Sequence, residues 1–447
     1  MTNLLFAYTT RVLIAIAITV AASASEPRTL TAEDGTTLTL QESTVRVPET
    51  RTKKRGSIAL AVVRIGRSAT PARTAHIILA GGPGDSGVSL VRGLALRGGA
   101  AFFELLGGDV IGIDQRGTGK SSPNLETPAL YGLPLDRPGT PEAWLPLMEK
   151  VSREVAAGFA ARGIHLEAYN TRESADDVED VRRALGYERI TLWGRSYGSH
   201  LALETLRRHP ESIERVILAN PEGPNDTLKL PSRVDAVLAR YDARSPGLIA
   251  TMRKVLDRLE REPQAVPVQG SRVVIGKFDV QLLTAQALGD PRTAATLPAA
   301  YREMEAGDFR RVAQLALVQR SRMGVQSAMK QMMDLSSGAT AARRDRIARE
   351  AASSPLGNAI NFPLMSLGSA WGNPDLGDDI RRPVRSRVPV LVLAGDLDPR
   401  TPVENGREIV EHLENGRLEV LSGSGHHFDL FGSAEVRKVI ARFLRGR

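Results

Sequence analysis

The stretch Thr191 to Pro210, TLWGRSYGSHLALETLRRHP, decides how the chain is read. An apolar run with strand character ends in Gly194-Arg195-Ser196-Tyr197-Gly198, and a segment with helical spacing follows at once. A serine between two glycines at a strand-to-helix junction sits on a sharp turn. Its hydroxyl is pushed outward above the sheet edge, and the flanking positions must be glycine because side chains there would collide. The helix start behind it offers free backbone N–H groups to a developing oxyanion. Ser196 as a plain helix N-cap is the alternative.

The surroundings supply the matching architecture. HIILAGGPGDSG contains an apolar strand from His76 to Ala80 running into a glycine loop, and DVIGIDQRGTGKSS a second strand from Asp109 to Asp114. DDVEDVRRALG has helical spacing and stops at Gly186; ERITLWG is a third strand and ERVILANPEG a fourth. Continuously apolar strands alternating with helices predict a mostly parallel sheet covered on both faces. Before this series, residues 27–75 alternate enough to predict hairpins, with Thr36 to Leu40 and Ile58 to Val63 as strands. From Asp226 to residue 375 the pattern is mostly helical and amphipathic, and it includes a methionine-rich piece with Met323, Met329, Met332 and Met333. Alternation resumes at VPVLVLAGDLDP and RLEVLSGSGHH and closes with a helix over Ala434 to Leu444. The expected organisation is therefore a sheet domain in two parts, residues 25–225 and 376–447, around a helical cap insertion, 226–375.

Residues 1–24 are set apart. Arg11, an apolar run from Val12 to Ala22 and Ala22-Ser23-Ala24 follow the order of a secretory signal, with cleavage expected after Ala24. The run is short of the ~20 residues of a membrane span, so no stable membrane insertion is expected after cleavage; an uncleaved N-terminal anchor is the alternative. The remainder is then exported, to the periplasm or beyond. The absence of cysteine excludes disulfides, thiolate metal sites and a thiol nucleophile. The net charge of +8 comes with only 4% aromatics, and the arginine clusters read as solvated faces, so no nucleic-acid partner is expected. No helical H-E-x-x-H spacing occurs, and neither metal nor cofactor is expected. Gly81-Gly82-Pro83-Gly84 lacks the lysine and following Ser/Thr of a phosphate-binding loop.

A serine hydroxyl needs a base to take its proton and a third group to orient that base. Behind a G-x-S-x-G turn the partners follow in the order serine, acid, histidine. Of seven histidines, only His426 and His427 lie in a glycine loop after the last strand, and Gly423-Ser424-Gly425-His426 favours His426. Asp396 and Asp398 end the preceding strand; Asp398 is the expected partner, leaving the other to hold the turn. The N–H of Tyr197 and the loop Gly81 to Gly84 are the expected oxyanion donors.

Taken together, GGPGDSG, DQRGTGKS, GRSYG, GDLDPRTP and GSGHH resemble, in order and approximate spacing, the α/β-hydrolase group of proline iminopeptidases and secreted tripeptidyl aminopeptidases. The resemblance covers residues 55–225 and 376–447. It implies an α/β-hydrolase fold with Ser196 as nucleophile, Asp398 as acid, His426 as base, and Gly82 with Tyr197 as oxyanion donors. It also implies that the turn Asp114 to Gly117 braces the oxyanion loop. Ala80 stands where many relatives have histidine, Ser199 where many have glycine, and Tyr197 is more like the tripeptidyl branch. An aminopeptidase must hold a free ammonium; Glu222 is the leading candidate, with Glu303 and Glu305 behind it, and Glu222 as a solvated or capping loop residue is the alternative. The expected function is an exported serine hydrolase that removes short peptides from N-termini. The alternatives are an esterase or amidase for small acyl substrates, and a non-catalytic binding protein that keeps the fold.

Overall fold

The computed structural model describes residues 22–52, 55–428 and 430–446. Of the signal-like segment only Ala22-Ser23-Ala24 falls among them; the rest lies outside the described residues. Fourteen strands are described. In chain order they are β1 (Ala22–Ala24), β2 (Arg28–Thr31), β3 (Thr37–Thr50), β4 (Arg55–Gly66), β5 (Ala75–Leu79), β6 (Asp109–Ile113), β7 (Glu126–Leu130), β8 (Ile190–Ser196), β9 (Ile213–Pro221), β10 (Gln264–Val268), β11 (Ser271–Ile275), β12 (Gly324–Ser327), β13 (Val390–Gly395) and β14 (Gly416–Leu421). Ten form one sheet in the order β1-β3-β4-β6-β5-β8-β9-β13-β14, with β2 also on β3. The pairs from β6 to β14 are parallel, whereas β1, β2, β3 and β4 join antiparallel.

Successive side chains of a strand point to opposite faces, so a strand apolar at every position feeds two cores. Ile77 and Leu79 enter the same core as Ile111, Ile113, Leu192, Val216, Leu218, Val390 and Val392. Ile78, Val110, Trp193, Ile217, Leu391 and Leu393 enter the other. The first face is covered by helices Pro141–Ala161, Thr171–Ala184 and Tyr197–Arg208, and the second by Gly87–Leu106 and Ala434–Leu444. The helix Thr171–Ala184 begins where Asn170 accepts from the Glu173 N–H at 3.0 Å, a side-chain cap that satisfies a donor with no intrahelical partner. Gly186, with φ of 79°, ends it.

Between β9 and β13 the chain builds helices Pro231–Arg244, Leu248–Arg261, Lys277–Ala287, Leu297–Glu305, Arg310–Arg322, Ala328–Ser337 and Ala341–Ala351. Much of this stretch has a core of its own, in which Leu238, Met252, Leu256, Tyr301 and Phe309 are buried. The stretch is less purely helical than its sequence pattern. It holds the hairpin β10–β11, and β12 pairs with β7 from the first half of the chain. Met329, Met332 and Met333 pack into the core beneath the sheet rather than lining a cleft, and Met333 Sδ lies 3.1 Å from the Tyr197 hydroxyl.

Candidate active site

β8 ends at Ser196, whose φ of 54° is a backbone state that non-glycine residues rarely hold. Such a state persists only where the surroundings over-determine it, and here two close approaches do so. A Cβ on Gly194 would lie 2.5 Å from the Gly198 carbonyl oxygen, and one on Gly198 would lie 2.3 Å from that of Leu79. The two glycines therefore let strand, turn and helix close onto the end of β5. The loop that leaves β5 then passes beside the serine, because a Cβ on Gly81 would sit 3.3 Å from Ser196 Cβ.

His426 reaches the serine from the loop after β14. Its Nε2 is 3.1 Å from Ser196 Oγ and its Nδ1 is 2.8 Å from Asp398 Oδ2. In the neutral ring Nδ1–H donates to the carboxylate, and Nε2 is left to accept from the serine hydroxyl. His426 is buried and Asp398 has no exposed surface. Burial works against the Asp398 charge. The electrostatic pull of His426 and the hydrogen bonds from His426 and Thr401 outweigh it, and the carboxyl sits below its ordinary range. Thr401 Oγ donates to Oδ2 at 2.6 Å, while the Arg400 and Thr401 N–H groups donate to Oδ1 at 2.8 and 3.1 Å. Asp396 holds the turn instead, accepting from the Gly423 N–H at 2.7 Å. His427 lies to the side, with Nδ1 3.0 Å from Arg195 Nη2.

Two residues not singled out in the sequence hold this arrangement. Asn220, fully buried at the end of β9, accepts from the Gly395 N–H at 2.8 Å and donates to the carbonyls of Gly425 and His426, each at 2.9 Å. Thr401 is the other; only its place three residues after Asp398, the spacing of a side-chain-capped turn, hinted at a role.

The donors expected for an oxyanion belong to the two segments that meet at Ser196. Tyr197 is the first residue of its helix, where N–H groups have no intrahelical acceptor. Gly82, with φ of 106°, lines the same cleft as Ser196 and His426. The chain segment after that loop is tied down by Asp114, whose Oδ1 accepts from Ser86 Oγ at 2.5 Å and the Val88 N–H at 3.0 Å. Arg116, two residues on, has no exposed surface and grips Asp177 with two hydrogen bonds of 2.8 and 2.7 Å.

The cleft has a volume of about 400 Å³, and the stretch between β9 and β13 supplies one wall with Leu282, Ala285, Gln286, Lys330, Asp334 and Phe362. Glu222 is buried against it and is already paired: Lys229 Nζ donates to Oε2 at 2.7 Å and Thr227 Oγ to Oε1 at 3.3 Å. Burial opposes its charge, but Lys229 prevails and holds its pKa below the ordinary value. Glu303 and Glu305 do not belong to the cleft. They pair instead with Arg311 at 3.1 Å and Lys254 at 3.0 Å, Glu303 on the side of the helix Leu297–Glu305 opposite the buried Tyr301 and Glu305 at its last position.

A family model described as the alpha/beta hydrolase fold matches residues 77–432. Over 189 residues the chain is 30% identical to the tripeptidyl aminopeptidase of Streptomyces coelicolor and likewise to that of Streptomyces lividans. The match takes in 40% of this chain and 35% of each relative, so it spans about a third of their length. Among solved structures, the proline iminopeptidase of Mycobacterium smegmatis is similar at 20% identity, with 90% of this chain and 98% of that one covered and a TM-score of 0.44. A thermophilic esterase from Thermogutta terrifontis is similar at 18% identity, with the same coverage and a TM-score of 0.41.

Proposed function

The chain belongs to the alpha/beta hydrolase fold family, and on that premise we propose that it is an exported serine hydrolase that removes short peptides from free N-termini. One observation carries the reaction type: Ser196 Oγ, the His426 ring and Asp398 stand in one hydrogen-bonded series at 3.1 and 2.8 Å. His426 Nε2 takes the serine proton as Oγ attacks the scissile carbonyl. The Asp398 carboxylate holds the ring in the tautomer that leaves Nε2 free and stabilises the imidazolium that forms. The N–H groups of Tyr197 and Gly82 receive the charge on the carbonyl oxygen. The imidazolium then protonates the leaving amine, and the neutral ring activates water to release the acyl group. Peptide rather than ester specificity draws on the 30% identity to tripeptidyl aminopeptidases and on Glu222 in the cleft. Export rests on the N-terminal segment alone, and a mature chain beginning at Ser25 is its signature.

The test is a comparison of residues 25–447 with their Ser196→Ala variant on free-amine peptide chromogens, N-acetylated copies and short p-nitrophenyl esters. The variant should lose on the order of 10³-fold or more in turnover while staying folded. Serine-dependent cleavage confined to free-amine peptides supports the aminopeptidase. Cleavage confined to esters keeps the serine chemistry and moves the substrate to small acyl compounds. Undiminished turnover in the variant removes Ser196 as nucleophile.

A further inference from the structure

Among the described residues, five charged side chains besides His426 line the cleft: Glu222, Lys229, Lys330, Asp334 and Arg400. Four of them neutralise one another. Lys229 holds Glu222 at 2.7 Å, and Lys330 Nζ donates to Asp334 Oδ2 at 2.6 Å. The surplus is a single positive charge on Arg400. Its guanidinium makes no hydrogen bond or ion pair among the described residues; only its backbone N–H is engaged, by Asp398 at 2.8 Å. An arginine on an outer surface would be an ordinary solvated charge. This one is part of the wall that also holds Ser196.

Its placement is set from two sides. The hydrogen bond to Asp398 fixes its backbone relative to the acid of the site. Gly289, just past the helix Lys277–Ala287, leaves room for the head group, since a Cβ there would stand 3.0 Å from Arg400 Nε and 3.3 Å from Nη2. The guanidinium thus spans from the acid loop to the segment that walls the cleft. A planar fork of donors with no acceptor among the described residues matches a carboxylate in bidentate geometry.

We propose that Arg400 is a specificity determinant that receives a substrate carboxylate, so that the cleft favours peptides or acyl groups bearing an anionic group near the scissile bond. The turnover part of this proposal rests on the serine-hydrolase reading; the binding part does not.

Matched substrates that differ by one carboxylate test it and separate its sources. Glutamyl against glutaminyl peptides with amidated C-termini probe a side chain, and a glutaminyl peptide with free against amidated C-terminus probes the terminus. Hemisuccinate against butyrate p-nitrophenyl esters probe the acyl group. The expected result is a preference for the acidic member of at least one pair. Arg400→Ala should lower the ratio of acidic to neutral kcat/KM about ten- to a hundredfold, mainly through KM. Arg400→Lys, which keeps the charge without the fork, should recover part of the ratio. Binding of the same peptides to Ser196→Ala, with and without Arg400→Ala, should show the same loss in Kd.

No acidic preference in any pair, in turnover or in binding, overturns the proposal. So does a loss shared equally by acidic and neutral members, because Arg400 would then act only through the Asp398 loop. Failure of the peptidase reading is distinguishable: peptides stay uncleaved while the ester ratio still falls in Arg400→Ala.

Discussion

Asn220 Nδ2 donates to the carbonyl oxygen of His426 at 2.9 Å, while Oδ1 of the same carboxamide accepts from Gly395. One buried side chain therefore ties the histidine loop to the strand end from which the acid loop departs. Asn220→Asp keeps the size but turns a donor into an acceptor facing two carbonyls. The ring of His426 should then lose its alignment, with kcat lowered about ten- to a hundredfold and KM changed by less than about threefold. Steady-state kinetics on any substrate the enzyme turns over checks this, and an unchanged kcat would mean that the loop is held by other contacts.

Glu222 faces the cleft with Lys229 on one oxygen. If it also receives the substrate ammonium, Glu222→Gln should raise KM for free-amine peptides about tenfold and leave small esters nearly unaffected. Equal losses on both substrate types would place its effect in the release of Lys229 instead.

Stability should depend on pH through His76. Trp193 Nε1 donates to His76 Nδ1 at 2.9 Å, so the proton sits on Nε2, which donates to the Leu106 carbonyl at 3.0 Å. Burial disfavours the imidazolium and lowers its pKa from 6.5 to about 4, against the pull of the Leu106 carbonyl. The unfolded chain takes up this proton near pH 6.5 and the folded one only near pH 4. The contribution is whole above the first value and is lost as pH falls toward the second, by about 3 kcal/mol in total. Urea unfolding at pH 7.5, 5.5 and 4.5 should show the decline. His76→Leu should flatten that part of the profile, at a lower plateau, because Trp193 N–H loses its acceptor.

The Arg116–Asp177 pair has almost no exposed surface. Arg116 also donates to the carbonyls of Glu49 at 2.7 Å and Ala168 at 2.6 Å. Arg116→Met would strand both carbonyls and leave Asp177 to Arg51, which holds it at 2.8 Å. A loss of about 3 kcal/mol or more in unfolding free energy is expected. Chemical denaturation measures it, and a change below about 1 kcal/mol would show that the network repacks without Arg116.

What was legible in the residue order follows from local physics. Apolar runs such as Ile77-Ile78-Leu79 and Leu391-Val392-Leu393 announce strands buried on both faces, since every position must meet a core. Gly194 and Gly198 announce a turn that no side chain could enter, and His76 and Asp398 stand where a strand pattern begins or ends. These are statements about neighbours in the chain, and periodicity and turn chemistry are enough to make them.

Only tertiary structure decided which groups meet. It brought Asn220 to a loop more than 200 positions away and gave Glu222 a lysine partner. It paired Glu303 and Glu305 with Arg311 and Lys254 away from the cleft and left the Arg400 guanidinium beside Gly289 with no acceptor among the described residues. β12 found β7 across nearly half the chain for the same reason. Pairing between distant residues is set by the register of the sheet and by how the walls of the cleft pack onto it. No local pattern encodes that geometry, so Ser196, Asp398 and His426 could be picked out along the chain, while their spacing and the neighbours that hold them emerged from the fold.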